Sequence, residues 1–120
     1  MNFEKFFKSP EGRFVRTYRV APTELPYAFR LEDGSLYTSV HFDGEIFRHP
    51  KNKSEIDIAG FIEEMKAQFK TDTIRLSCCY PDAARALIPE IDGLEIIGTG
   101  NLEYRTVYNN KINQITVESC

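Results

Sequence analysis

Residues 73–90 read TIRLSCCYPDAARALIPE, and the parsing of this stretch decides the fold. Thr73–Tyr80 alternates as a strand does. Ile74, Leu76 and Cys78 form one row, and Arg75, Ser77 and Cys79 form the other. Pro81-Asp82 breaks the run, and an amphipathic helix is expected over Asp82–Ile91. In it Ala84, Leu87 and Ile88 turn inward, and Pro89 shortens the last turn. A strand that feeds straight into a helix is half of a βαβ unit. Ligands of such sheets gather at the carboxyl ends of the strands, and Cys79 stands at one.

Upstream, Ile58, Phe61, Ile62, Met65 and Phe69 recur at helical spacing and predict a helix over Glu55–Lys70. Ser54 reads as its N-cap, with Glu55 and Asp57 favoured at the positive end. Tyr27–Leu31 and Ser35–Phe42 predict a hairpin across Asp33-Gly34, and a turn at Asp43-Gly44 leads to a brief strand, Glu45–Arg48. Arg13–Val20 alternates as a strand whose charges mark an edge. Asn2–Lys8 reads as a short helix ended by Pro10-Glu11-Gly12.

Downstream, the continuous apolar run Leu94–Ile97 predicts a strand buried on both faces. Glu103–Tyr108 and Lys111–Glu118 predict a hairpin across Asn109-Asn110. The central order, strand–helix–strand–helix–strand, calls for parallel pairing through right-handed crossovers. The expected architecture is one α/β domain over residues 1–120. It is three-layer, with a mixed sheet whose parallel core is flanked by antiparallel hairpins.

A chain of 120 residues, 42% hydrophobic and 28% charged, has the composition of an ordinary globular domain. Fifteen basic against eighteen acidic side chains leave a net charge of −3, so neither nucleic acid nor a membrane surface is expected as a partner. The aromatic and basic residues of Arg13–Arg30 read as the two sides of strands rather than a base-stacking platform. No apolar run approaches the ~18 residues of a spanning helix. The start, MNFEKFFKSPEGR, lacks a signal-peptide core, so a cytoplasmic address is expected.

Three cysteines, two of them adjacent and Cys120 terminal and expected to be mobile, form no disulfide framework and suit a reducing compartment. His41, His49, Cys78 and Cys79 lack zinc-site spacing, and Gly98-Thr99-Gly100-Asn101 matches no phosphate-binding loop. No metal or cofactor is expected.

The candidate chemistry is a pair. His41 closes the Ser35–Phe42 strand and Cys79 closes the Thr73–Tyr80 strand. If those strands are parallel neighbours, the rows Tyr37, Ser39, His41 and Arg75, Ser77, Cys79 bring an imidazole and a thiol to one carboxyl edge. That is the minimum equipment for acyl transfer, in which histidine takes the thiol proton and later protonates the leaving amine. The helix after Cys79 favours a thiolate, while Asp82 opposes it. The plain alternative is that Cys79 is strand packing, since free cysteine behaves as a small hydrophobe.

Ile74-Arg75-Leu76-Ser77-Cys78-Cys79-Tyr80, with Ala83-Ala84-Arg85-Ala86-Leu87 and Gly93-Leu94-Glu95-Ile96-Ile97-Gly98, resembles the core of caspase-like (clan CD, CHAT-type) cysteine peptidases. Ser39-Val40-His41-Phe42-Asp43-Gly44 resembles that family's histidine segment. The likeness runs from about Ser35 to Val117. It implies a helix-flanked, mostly parallel sheet with Cys79 as nucleophile, His41 as base and a peptide or protein as substrate or partner. The family carries glycine directly after the histidine, whereas Phe42 follows here and Gly44 comes two positions later. Tyr80-Pro81-Asp82 stand where small residues follow the cysteine. A non-catalytic binding or regulatory module with the same fold is the competing expectation.

Overall fold

The rows read from the sequence become the two faces of one sheet. The computed structural model of the chain describes residues 6–119. The elements are β1 (Phe7–Lys8), β2 (Phe14–Pro22), β3 (Ala28–Leu31), β4 (Leu36–Ser39), β5 (His41–Phe42), β6 (Phe47–Arg48), α1 (Ile58–Phe69), β7 (Ile74–Ser77), α2 (Pro81–Leu87), β8 (Leu94–Ile97), β9 (Tyr104–Asn109) and β10 (Gln114–Ser119). The main sheet runs β8-β7-β4-β3-β2-β10-β9, with β1 beside β2; β5 and β6 form a separate two-stranded ribbon. β4, β7 and β8 are parallel, in register from Leu36↔Ile74↔Leu94 to Ser39↔Ser77↔Ile97, and the other pairings are antiparallel. The chain is thus a mixed α/β protein with a parallel core and antiparallel margins, as expected.

The layering differs from the expectation. Leu36, Ile74 and Leu76 pack against Phe61, Ile62, Met65 and Phe69 of α1 and against Ala84 of α2, so both helices cover the same face. The cause is topological: β4, β7 and β8 step across the sheet in one direction, and two right-handed crossovers in one direction put both helices on one side. The other face is covered by the sheet itself. Tyr37 and Ile97 from the parallel half share a second core with Tyr18, Val20, Phe29, Tyr104, Ile115 and Val117 from the antiparallel half. The sheet therefore curls, and β9 returns over the ends of β4 and β7.

Several elements fall elsewhere than the sequence predicts. The Arg13–Val20 segment is interior, because β2 pairs with β10 on one side and with β1 and β3 on the other. Leu94–Ile97 is an edge strand instead, and Arg85 covers its open side by donating to the carbonyls of Ile96 at 2.9 Å and Gly98 at 3.0 Å. α1 begins after Asp57, whose carboxylate accepts from the Gly60 N–H at 3.3 Å. Ser54 lies in the preceding loop, bonded to Asn52. α2 starts on Pro81 and stops at Leu87, with Ile88 extended before Pro89 and Leu87 exposed. In the β9–β10 hairpin it is Asn113, not Asn109 or Asn110, that takes a positive φ, of 49°. Phe7–Lys8 is strand rather than helix. Residues 1–5 of the expected Asn2–Lys8 helix, and Cys120, lie outside the described residues. Among the described residues no helix is long and apolar enough to cross a membrane.

Candidate functional site

β4 and β7 are parallel neighbours, the condition on which the histidine–cysteine pair depends. Their pairing ends where the Val40 N–H donates to the Ser77 carbonyl at 3.2 Å. Beyond that point both chains leave the sheet. The Ser35–Phe42 segment does not run on as one strand: β4 stops at Ser39 and His41 opens the β5–β6 ribbon. That ribbon is pinned by the stacked rings of Phe42 and Phe47, 4.3 Å apart, and by Asp43 Oδ1, which accepts from the N–H groups of Glu45 and Ile46. The alternation survives the break. Val40 and Phe42 stay in the helix-side core, while Ser39 and His41 continue the opposite row.

Ser39, His41, Ser77 and Cys79 all line one cleft of about 340 Å3, with Tyr27 and Phe29 at its side and Tyr104, Thr106 and Tyr108 of β9 as its far wall. The structure thus brings His41 and Cys79 to one site, with His41 exposed at the mouth and Cys79 half-buried. Cys78 points the other way, into the helix-side core, where burial and then the neighbouring Cys79 push its thiol up to about 12. Cys78 is packing.

Three contacts hold the curled sheet at this place. The Tyr80 N–H donates to the Leu102 carbonyl at 2.8 Å, and the Cys79 thiol donates to the Tyr104 carbonyl at 3.7 Å. Deeper in, the Tyr37 hydroxyl is bonded to Thr106 Oγ1. Tyr37 is fully buried, and that burial raises its phenol, which stays protonated. Tyr80 itself takes φ 53° and ψ 58°, a left-handed turn at the strand–helix junction. Its hydroxyl donates to Glu103 at 2.7 Å, so both ends of the residue are anchored to the segment leading into β9.

What the site offers is a sulfur in contact with the Tyr104 carbonyl, an exposed imidazole, two serine hydroxyls and an aromatic wall. The β9 wall is what sequence reasoning missed. Its signal is the alternation of Tyr104, Thr106 and Tyr108 against Arg105 and Val107, a pattern that any hairpin arm with one buried side carries as well.

His49 lies apart from this pair. It receives the Lys51 N–H on Nδ1 at 3.1 Å, so its Nε2 carries the proton given to the Tyr27 hydroxyl at 3.3 Å. At the opposite end of the parallel strands, Arg75 is held by Ser35 at 3.2 Å, by Asp33 at 3.1 Å and by Glu95. Among the described residues no group of three or more histidine, cysteine, aspartate or glutamate side chains is placed to hold a metal ion. Compared with protein-family models, with curated proteins and with solved structures, the chain matches none.

Proposed function

We propose that the chain is a non-catalytic binding module with a caspase-like core, and that the cleft between the carboxyl ends of β4 and β7 and the inward row of β9 receives its ligand. The observation that supports this reading is the Cys79 sulfur lying 3.7 Å from the Tyr104 carbonyl: the side chain that would be the nucleophile is engaged in the contacts that join the end of β7 to β9. The volume and the aromatic lining fall within the range of small ligand sites. A reducing, cytoplasmic setting keeps that sulfur from oxidation.

A second reading has one observation in its favour, that His41 and Cys79 share the cleft. In it the protein is a cysteine peptidase-like hydrolase. His41 takes the Cys79 proton, the sulfur attacks a peptide carbonyl, and His41 returns the proton to the departing amine. Alkylation separates the two. For the binding module, iodoacetamide at neutral pH modifies Cys79 no faster than it modifies glutathione, and His41→Ala leaves that rate unchanged. A Cys79 that outpaces glutathione tenfold or more, and loses the advantage in His41→Ala, would establish the dyad and overturn the binding reading.

A further inference from the structure

The two ends of the sheet are finished differently. At β8 the Arg85 guanidinium occupies the outward carbonyls, which is a common protection of an exposed strand edge. β9 ends the sheet on the other side, where among the described residues no side chain covers its edge from Thr106 onward, and the hydrogen-bond parity of the hairpin fixes which of its groups face outward. The Val20 N–H donates to the Asn113 carbonyl at 2.9 Å, so residues 113, 115, 117 and 119 direct their backbone groups at β2. Residues 114, 116 and 118 then direct theirs at β9, where their partners are Asn109, Val107 and Arg105. Tyr104, Thr106 and Tyr108 are left with N–H and C=O turned away from β10. The acceptance of the Cys79 thiol by the Tyr104 carbonyl agrees with this parity.

The open side of β9 thus closes against the end of β7 at Leu102 and Tyr104 and, among the described residues, pairs with no strand from Thr106 onward, where the cleft lies. The groups presented there, an N–H and a C=O at Thr106 and again at Tyr108, repeat at roughly 7 Å. Another extended backbone matches that spacing on every group. A folded second copy would have to bring its own strand past the facing wall made by Ser39, His41, Ser77 and Cys79, whereas a single extended segment has only its own backbone to place there.

We propose that the ligand of this cleft is an extended peptide segment of a partner protein, bound by adding one strand to the free side of β9. The proposal rests on the cleft being a binding site and names what fills it. The backbone of the segment pairs with Thr106 and Tyr108. Every second side chain enters the cleft against Tyr27, Phe29 and Tyr108 and is therefore apolar. The clasp at Tyr104 fixes where the added strand must stop.

The test uses the whole chain and a random library of displayed heptapeptides. The tightest binder is remade as an acetylated, amidated peptide carrying a single N-methyl group at each backbone nitrogen in turn. Strand addition predicts losses of tenfold or more at alternate positions and little change between them. It also predicts slowed amide exchange at Thr106 and Tyr108 on binding, with Arg105 and Val107 unaltered. An N-methyl scan without a period of two, from a peptide that still shifts the Tyr27 and His41 resonances, would overturn strand addition and leave the cleft as the site. Peptides that bind elsewhere, a library that yields no binder, or self-association through β9 that peptide does not reverse would overturn it as well. Shifts confined to residues outside the cleft would remove the binding reading too.

Discussion

At the scale of single residues, neighbours with the same chemistry have opposite fates because a strand sends them to opposite faces. Cys78 is sealed under the helices and Cys79 opens on the cleft. This was legible, since the alternation Arg75, Ser77, Cys79 against Ile74, Leu76, Cys78 specifies the faces without reference to the fold. The acceptor of the Cys79 thiol was not legible, because Tyr104 is 25 residues away and meets it only through the curl of the sheet. Charge shows the same pattern. Burial pushes the Asp33 carboxyl up, but hydrogen bonds from Ser35 and Arg75 outweigh it and hold the group below its ordinary value of 3.8. A carboxyl lowered on folding stabilises the fold above that ordinary value, and the contribution is lost as pH falls through the folded value. Asp33→Asn removes the linkage. Its urea midpoint, measured from pH 5 down to pH 2, is expected to fall less steeply than that of the unaltered chain; identical slopes would show that the bonds of Asp33 with Ser35 and Arg75 contribute nothing.

At the scale of elements, the strand–helix–strand–helix–strand core was readable because each segment carries its own period and its own stop. Edge and interior were not. The charges of Arg13–Val20 resemble an edge, yet β2 is interior, since one of its faces is the outer, uncovered face of the antiparallel half. Leu94–Ile97 resembles a central strand, yet β8 ends the sheet because no further βαβ unit follows it. The connection into β8 is a different matter, fixed by close approach. Gly93 has φ 76°, and a Cβ built there lies 1.9 Å from the Asp72 carbonyl oxygen. Gly93→Ala is therefore expected to cost roughly 2–4 kcal/mol, from left-handed strain plus the displaced β7 connection. Chemical denaturation measures it, and a loss below about 1 kcal/mol, the ordinary cost of an uncrowded substitution, would show that the turn has room.

At the scale of the whole molecule, the sheet forms two cores, one beneath the helices and one inside its own curl, and the cleft is the place where the curl stays open. No local pattern in the sequence announces this, because closure depends on β9, the last strand of the sheet, meeting the end of β7. The most direct test is residue-resolved amide hydrogen exchange of the unliganded chain. A sheet clasped at Leu102–Tyr104 and open beyond it predicts slow exchange at Tyr80, Arg105, Val107 and Asn109 and fast exchange at Thr106 and Tyr108. Uniform protection along β9, or an unprotected Tyr80, would contradict it.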